Sequence, residues 1–493
     1  MFKKWRATEI NSNICKIHQN EEIKSFSTKV EDDVLFIKNS LVHTEDLMIQ
    51  DLSEQSYLLF IESLVDVEKI YDKVLTRITN TRDEIICDKK IVNLYEANHL
   101  LLDGYCIFMS EGKNYAAVFY TSALEKRSIQ EPLSEKVLRG PHNGFIESLE
   151  TNIQLVRRSV KNPRLMIKYM KLGERSHTKI AIIYVEGLIN NDIINELFRR
   201  LSYLQVDYLQ SPGCIQECIE DEACSPFPQI LNTERPDRVT SNLMEGRFAI
   251  LSEGSPTAMI APITFFAFLQ SSDDYNNRWL IGSFMRIFRM LSILIAIGLP
   301  AFYIAVVSFH YEVLPFELIF ALKSTLEYVP VVPIVEALSM LIILELLSEA
   351  ATRLPSPIAQ TIGVVGGLVI GTAVVEANLV SNSMIVVVAL TAVASYTMPV
   401  TEMGTTIRLL GFPLMVASSL FGFIGIVIVS MMILVHLCKL ESFGIPYFAP
   451  LAPFKLSENK DTVIRLPIWT FMKRPASTRT RDSIRIGNLR GWK

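Results

Sequence analysis

Residues 290–438 are almost empty of charge: they carry three basic and eight acidic side chains, whereas residues 1–289 carry 34 and 40, and residues 439–493 carry 11 and 4. Four apolar runs lie in that stretch. MLSILIAIGLPAFYIAVVSF (290–309) holds 20 residues without a charge, enough to cross about 30 Å of hydrocarbon as a helix. PIAQTIGVVGGLVIGTAVV (357–375), SMIVVVALTAVASYTM (383–398) and LLGFPLMVASSLFGFIGIVIVSMMILVHL (409–437) follow. The last is longer than a bilayer needs, so it is expected to tilt, to kink near Pro413 or a glycine, or to run beyond the membrane. With 49% apolar and 20% charged residues, the chain fits neither a single soluble enzyme domain nor a protein that is all membrane. The expected fold class is a membrane protein with an N-terminal α/β or α+β cytoplasmic region of two subdomains, then an α-helical transmembrane domain and a short basic tail. The expected domains are 1–125 and 126–289 in water, 290–438 in the membrane and 439–493 as the cytoplasmic tail.

The aqueous half reads as alternating strands and helices. YLLFIESL (57–64) is a buried strand and VEKIYDKVLTRI (67–78) a helix; CIFMS (106–110) and YAAVFYT (115–121) form a hairpin across EGKN. LMIKYMKLG (165–173) and KIAIIYVEGLI (179–189) are strands, INELFRRLSYLQ (194–205) a helix, and RFAILSEG (247–254) with TAMIAP (257–262) a second hairpin. Residues 1–55 read as an irregular arm with short helices. No apolar core precedes their acidic run, which predicts no cleaved secretory signal.

Chemistry is hard to assemble from this half. There is no G-x-G-x-x-G and no G-x-x-x-x-G-K-[ST], and the seven histidines occur singly with no H-E-x-x-H. Cys214, Cys218 and Cys224 lack both a nearby histidine and the C-x₂-C spacing of structural zinc sites, so the seven cysteines are expected to be reduced thiols. No enzyme activity, catalytic residue, cofactor, metal ion or nucleic-acid partner is expected.

Two further stretches of the membrane third carry charge. LPFELIFALKSTL (314–326) is short for a crossing, and PIVEALSMLIILELLSEAATRLP (333–355) is long enough but holds Glu336, Glu345 and Glu349. A carboxylate facing lipid is costly, so an acidic face must look inward. Glu345 and Glu349 share a helical face and are candidates for a water-filled path, with Glu336 left to packing or a subunit contact. Arg278, Arg286 and Arg289 before the first span, and the basic tail after the last, put both ends in the cytoplasm. Crossings are then even in number: four with 314–355 half-inserted, or six if both of its parts cross. Gly363, Gly366, Gly367 and Gly371 on one helix predict either a tight helix interface or a helix lining a narrow conduit. In the second case Thr361 and Thr372 offer hydroxyls, and Val364, Val365 and Leu368 form a dewetting constriction.

Longer motifs carry more. RGPHNGFIESLETNIQLVRR (139–158), SPFPQILNTERPDRV (225–239), EGRFAILSEGSP (245–256), EALSMLIILELLSEAATRLPSPIAQTIGVVGGLVIG (336–371) and SFGIPYFAPLAPF (442–454), in that order, resemble the A subunit of the GerA family of spore germinant receptors. The resemblance covers about residues 120–470, and the first subdomain falls in the region where the family varies. It implies a multi-pass subunit in the inner membrane of the dormant spore, termini toward the spore core. It also implies a homo-oligomeric ring that conducts cations, with a transporter-like B subunit, a lipoprotein C subunit and the lipid bilayer as partners. A non-conducting scaffold and an alternating-access transporter are the alternative functions. Phe145, Glu147, Thr151, Asn152, Leu155 and Arg157 stand where the family has F-x-E-x-x-x-T-N-x-x-L-[IV]-R, although its second arginine two positions on is here Ser159. Likewise Thr372 stands where family members often have glutamine. Glu147, Asn152 and Arg157, with Arg235, Asp237 and Arg238 of TERPDRV, are the expected assembly contacts. Within that motif Thr233 reads as a helix cap and Pro236 as a first-turn residue.

Overall fold

A computed structural model describes residues 24–53, 55–76, 87–123, 131–132, 134–209, 211–326, 329–455 and 459–485. The chain forms two compact units, one of residues 1–132, 142–216 and 232–260 and the other of residues 133–141, 217–231 and 261–493.

The first unit holds two five-stranded sheets. One has the order β1 (Leu47–Ser53), β2 (Ser56–Ile61), β4 (Tyr105–Ser110), β5 (Ala116–Tyr120), β3 (Lys89–Ile91), with antiparallel neighbours. Its strands β2, β4 and β5 read as apolar runs because both faces of the sheet are covered there. Leu59, Ile61, Ile107, Met109 and Val118 meet Ile37 of the helix α1 (Val30–Ser40), Leu41 that caps its end, and Leu94 and Leu101 of α2 (Leu94–Leu102). The alternate residues Leu58, Phe60, Phe108 and Phe119 pack against Val65, Ile70 and Val74 on the other side. The last two lie where the expected helix over 67–78 runs from Val67–Lys69 into a π-helical turn, Ile70–Leu75. Part of the arm expected to be irregular is thus α1 and strand β1; residues 1–23 lie outside the described residues.

The second sheet has the order β6 (Leu165–Leu172), β7 (Thr178–Val185), β9 (Phe248–Ser252), β10 (Ala258–Ala261), β8 (Leu231–Thr233). The helix α3 (Leu149–Ser159), capped at Ser148, packs toward it, as does α5 (Pro236–Leu243); the amphipathic α4 (Asn191–Ser202) buries Ile193, Ile194, Leu197 and Leu201. Pro236 occupies the first turn of α5 as expected, but the cap residue is Arg235, and Thr233 Oγ1 accepts from the Arg235 N–H at 3.2 Å.

One polar joint ties the two sheets. β6 is an edge strand, and Thr44–Asp46, just ahead of β1, runs along it: the Glu45 N–H donates to the Ile167 carbonyl (3.1 Å) and the Ile167 N–H to Thr44 Oγ1 (3.2 Å). From α3, Arg157 sends Nε and Nη2 to the two Asp46 carboxylate oxygens at 2.9 and 2.7 Å, and Nη2 also donates to Thr44 Oγ1 at 2.9 Å. Both charged side chains are fully enclosed.

The second unit contains seven helices longer than ten residues among the described residues: α6 (Trp279–Ser308), α7 (Phe316–Leu326), α8 (Pro333–Arg353), α9 (Ser356–Glu376), α10 (Asn382–Ser395), α11 (Thr401–Phe421) and α12 (Phe423–Lys439). Among the described residues, α6 and α11 are long and apolar enough to cross a membrane; α10 and α12 are shorter apolar helices. Contacts fix their directions. α11 runs the same way as α6, because Gly411 passes the Ala296 and Ile297 carbonyls and Ser418 Oγ donates to the Ala301 carbonyl (2.5 Å). α8 and α10 run oppositely: Glu336 and Ser381 near their starts meet by Tyr303, while Glu345 and Ser395 near their ends approach Arg408 and Gly404. α12 returns, its His436 Nε2 lying 2.8 Å from Ser225 Oγ while Thr406 Oγ1 near the start of α11 donates to the Pro226 carbonyl (2.7 Å).

One expectation for the membrane third is corrected here. The 409–437 run is two antiparallel helices broken at Gly422, whose φ of +59° suits glycine and where a Cβ would lie 2.9 Å from His310 Nε2. Three residues on, Gly425 lets α12 pass the Ala417 carbonyl, which a Cβ would meet at 2.1 Å. Pro413 stays inside α11 without ending it. Within 314–355 the chain forms two separate helices, α7 and an unbroken 21-residue α8 about 31 Å long.

Removing one member of the enclosed pair should expose its worth. Asp46→Ala leaves Arg157 buried and uncompensated, and denaturant unfolding of the full chain should show the first unit destabilised by about 3–5 kcal/mol. Asp46→Leu combined with Arg157→Met should recover most of that loss.

Candidate functional site

The polar residues of the helical unit are few, and nearly all are matched inside it. Glu345 of α8 faces Arg408 of α11, with Arg408 Nε 3.0 Å from Glu345 Oε2, and Arg408 Nη2 also donates to Thr405 Oγ1 at 3.2 Å. The same guanidinium sits 5.7 Å from the Tyr396 ring centroid, and the Tyr396 hydroxyl is hydrogen-bonded to Ser348 on α8. Beside this cluster lies a small cavity of about 20 Å³, lined by Ala296, Pro300, Leu344, Thr391 and Arg408 among others, room for one water molecule. Pro300 has no N–H to give the Ala296 carbonyl, and both residues line the cavity. Glu349 pairs with Arg353 one turn on, at 2.5 Å, both largely exposed. Glu336 is fully buried, accepting from the Ser381 N–H at the start of α10 where helix-dipole charge favours a carboxylate.

α9 contrasts with all of this. Gly366 faces α8, where a Cβ would come within 3.1 Å of Leu347 Cδ2. Among the described residues, Gly363, Gly367 and Gly371 have nothing within 4 Å of where a Cβ would stand, and Val364 is 66% exposed. Thr361 and Thr372 are exposed, the Thr372 hydroxyl donating to the Val369 carbonyl at 3.3 Å. The side chains of Val365 and Leu368, expected in a constriction, lie outside the described residues. The structure therefore gathers Thr361, Val364, Gly367, Gly371 and Thr372 on one helix, while Glu345 and Glu349 are held in ion pairs and are not brought to its glycines.

The residues expected to contact other subunits are placed differently from one another. Glu147 is exposed ahead of α3. Asn152 is fully buried and clasps Ile146, accepting from its N–H at 2.8 Å and donating to its carbonyl at 2.5 Å. Arg157 is enclosed against Asp46, which corrects its assignment: it has no surface to offer a partner. Arg235 is 1% exposed and chelates Asp237 at 2.7 and 3.0 Å, whereas Asp237 and Arg238 are half-buried. Sequence reasoning missed Asp46 and Arg408. The second carried a signal: it is one of three basic residues among eight acids in 290–438, so a buried partner was implied.

Burial pushes the Cys106 thiol up, making it inert. Among the described residues no cluster of three or more His, Cys, Asp or Glu side chains could hold a metal ion.

A family model, Bacillus/Clostridium GerA spore germination protein, matches residues 31–477. Spore germination protein KA of Bacillus subtilis (strain 168) is 37% identical over 478 residues, covering 91% of this chain and 87% of that protein. Spore germination protein A1 of the same organism is 38% identical over 465 residues, covering 92% and 94%. The crystal structure of the N-terminal domain of the A subunit of the Bacillus megaterium spore germinant receptor GerK3 matches 50% of this chain and 99% of its own, at 25% identity and a TM-score of 0.39.

The Glu345–Arg408 pair is partly open to its surroundings, so its coupling should be modest. A double-mutant cycle with Glu345→Gln and Arg408→Gln, read by thermal unfolding in detergent, should give about 1 kcal/mol. Arg408→Gln alone should cost more than the double variant, because it strands the carboxylate.

Proposed function

The chain belongs to the GerA family of spore germination proteins, and from that premise we propose that it is a membrane-embedded A subunit whose copies assemble around a cation conduit lined by α9, opened when a nutrient binds elsewhere in the receptor. GerA-family receptor subunits are not enzymes. The observation that carries the conduit reading is the asymmetry of α9: Gly366 is used up by contact with α8, while a Cβ at Gly363, Gly367 or Gly371 would meet nothing within 4 Å among the described residues. A helix whose only role was to face lipid has no need of small residues there; a second copy of the subunit or a file of hydrated ions does. The ion-pairing of Glu345 and Glu349 supports a conduit whose narrow part is apolar and shut until wetted.

In this reading α6 and α8 to α12 cross the bilayer six times in alternating directions, with both ends of the chain on the spore-core side of the inner spore membrane. Residues 1–125 and 126–289 are the aqueous subdomains, 290–438 the membrane domain, and 439–493 a basic tail at the inner surface. The transporter-like B subunit and the lipoprotein C subunit are its partners, and Glu147, exposed on the aqueous half, is the residue best placed to meet one of them.

The two glycines separate packing from conduction. Gly366→Leu should push α8 from α9 and lower recovery of the assembled receptor, while Gly367→Leu should assemble normally and abolish nutrient-triggered cation flux from reconstituted receptor. Normal flux in Gly367→Leu at matched protein levels defeats the conduit assignment. For topology, a cysteine added after Lys493 should react in inside-out membrane vesicles and stay protected in right-side-out ones; the reverse pattern removes the even-crossing arrangement.

A further inference from the structure

We propose that the C-terminal hairpin of this chain, Met472–Arg485, is a binding surface for anionic phospholipid headgroups. The segment doubles back on itself: the Arg474 N–H donates to the Ser483 carbonyl at 2.8 Å, the Arg485 N–H to the Met472 carbonyl at 2.9 Å, and Lys473 and Ile484 form an isolated antiparallel bridge between them. Arg474 closes the hairpin from within, its Nη1 reaching the Asp482 carboxylate and carbonyl, each at 3.0 Å, and the Ile484 carbonyl at 2.5 Å. That consumes the one acidic group among five basic ones. Lys473, Arg479 and Arg481 remain exposed, and none makes an ion pair among the described residues.

Apolar side chains stand out beside these cations. Met472 is 53% and Ile484 66% exposed, Ile484 standing opposite Lys473 across the bridge and Met472 opposite Arg485. Unpaired cations next to projecting apolar side chains match a bilayer surface, whose phosphates meet the charges while the acyl boundary takes up the apolar tips. The hairpin is also held at the right level. Its turn buries Thr478 and packs against Ile445–Pro446, which follow the end of α12 by six residues. Upstream, the Arg465 carbonyl accepts from Ser283 Oγ at 2.7 Å, and its Nη1 donates to the Asn277 carbonyl at 3.0 Å, at the start of α6. The tail is therefore pinned near the same ends of two apolar helices. The inference rests on the reading of those helices as membrane spans, which fixes the hairpin at the headgroup layer.

The test uses the full chain, purified in detergent and titrated with dioleoyl-phosphatidylglycerol or dioleoyl-phosphatidylcholine while bound lipids are counted by native mass spectrometry. The unaltered chain should prefer phosphatidylglycerol, and high salt should remove the preference. Replacing Lys473, Arg479 and Arg481 together by Gln should weaken phosphatidylglycerol binding by about a hundredfold and leave phosphatidylcholine unchanged. Met472→Ser with Ile484→Ser keeps the charges and should weaken both lipids. Undiminished phosphatidylglycerol binding in the triple variant overturns the proposal, and so does its full displacement by inorganic phosphate, which would assign the cations to a soluble anion. Extraction of the chain from cell membranes by alkaline carbonate would instead show that the spanning reading has failed.

Discussion

A charge that must sit among apolar helices has to find its partner within the bundle, and that constraint organises the second unit. Glu336 and Glu345 lie on α8 and Arg408 on α11, and each is answered by a group from another helix or its cap. Glu336 reaches the start of α10, where unsatisfied N–H groups stand in for a cation. Glu345 reaches the guanidinium of Arg408. These bonds set the register of α8 against α10 and α11 more sharply than apolar packing does, because leucine and valine faces slide at little cost while a stranded carboxylate does not. α9 forms no ion pair among the described residues; it packs on α8, where Gly366 meets Leu347, and its Val374 reaches the core shared with α6 and α10.

The same logic, at a higher charge density, holds the first unit. Arg157 and Asp46 are 111 residues apart and come from different subdomains, and their bidentate pair is sealed from water. Such a pair adds little to stability over an apolar replacement, but it forbids other registers, since any slip leaves a buried charge unmatched. The motif residues around Arg157 take their meaning from this joint. Asn152 folds the approach to α3 by clasping Ile146, Ser148 caps the helix, and Arg157 leaves its last turn toward Asp46. A motif that reads as a row of contacts for other proteins is, for its two buried polar members, the means of joining two sheets.

Local pattern carried most of the secondary structure. The runs YLLFI, CIFM, AAVF and FAIL are strands because both of their faces are covered, and the hairpin over EGKN turns where Gly112 supplies a φ of +80°. β1 was hidden because LMIQDLS mixes Gln50, Asp51 and Ser53 into its run, as an edge strand permits. The break at Gly422 was hidden for the opposite reason. A turn between two membrane helices needs no polar residues, so Leu420 to Phe423 continue the apolar run and the one sign of a turn is a glycine among several. The partners of Arg157 and Arg408 were beyond reach because nothing local links residues 111 or 63 positions apart. What was available was a rule of charge balance, which says that such a partner exists without saying where.

The lack of ion pairs on α9 among the described residues has a physical consequence for the proposed function. A helix fixed by ion pairs to three neighbours would have to break several strong contacts to move. α9 makes no ion pair among the described residues and packs mainly on α8, so it moves with α8, which is held by polar bonds near its start at Glu336 and past its middle at Glu345 and otherwise by apolar contacts with α6, α10 and α11. The water-sized cavity beside Pro300 and Ala296 lies next to the Glu345 contact of that attachment. A water molecule entering it would compete for Arg408 and loosen that contact while Glu336 still holds the start of α8. α8 would then swing about its Glu336 end and carry the open glycine face of α9 with it. The conduit in this proposal is thus controlled where the charge is, and is built where the charge is absent.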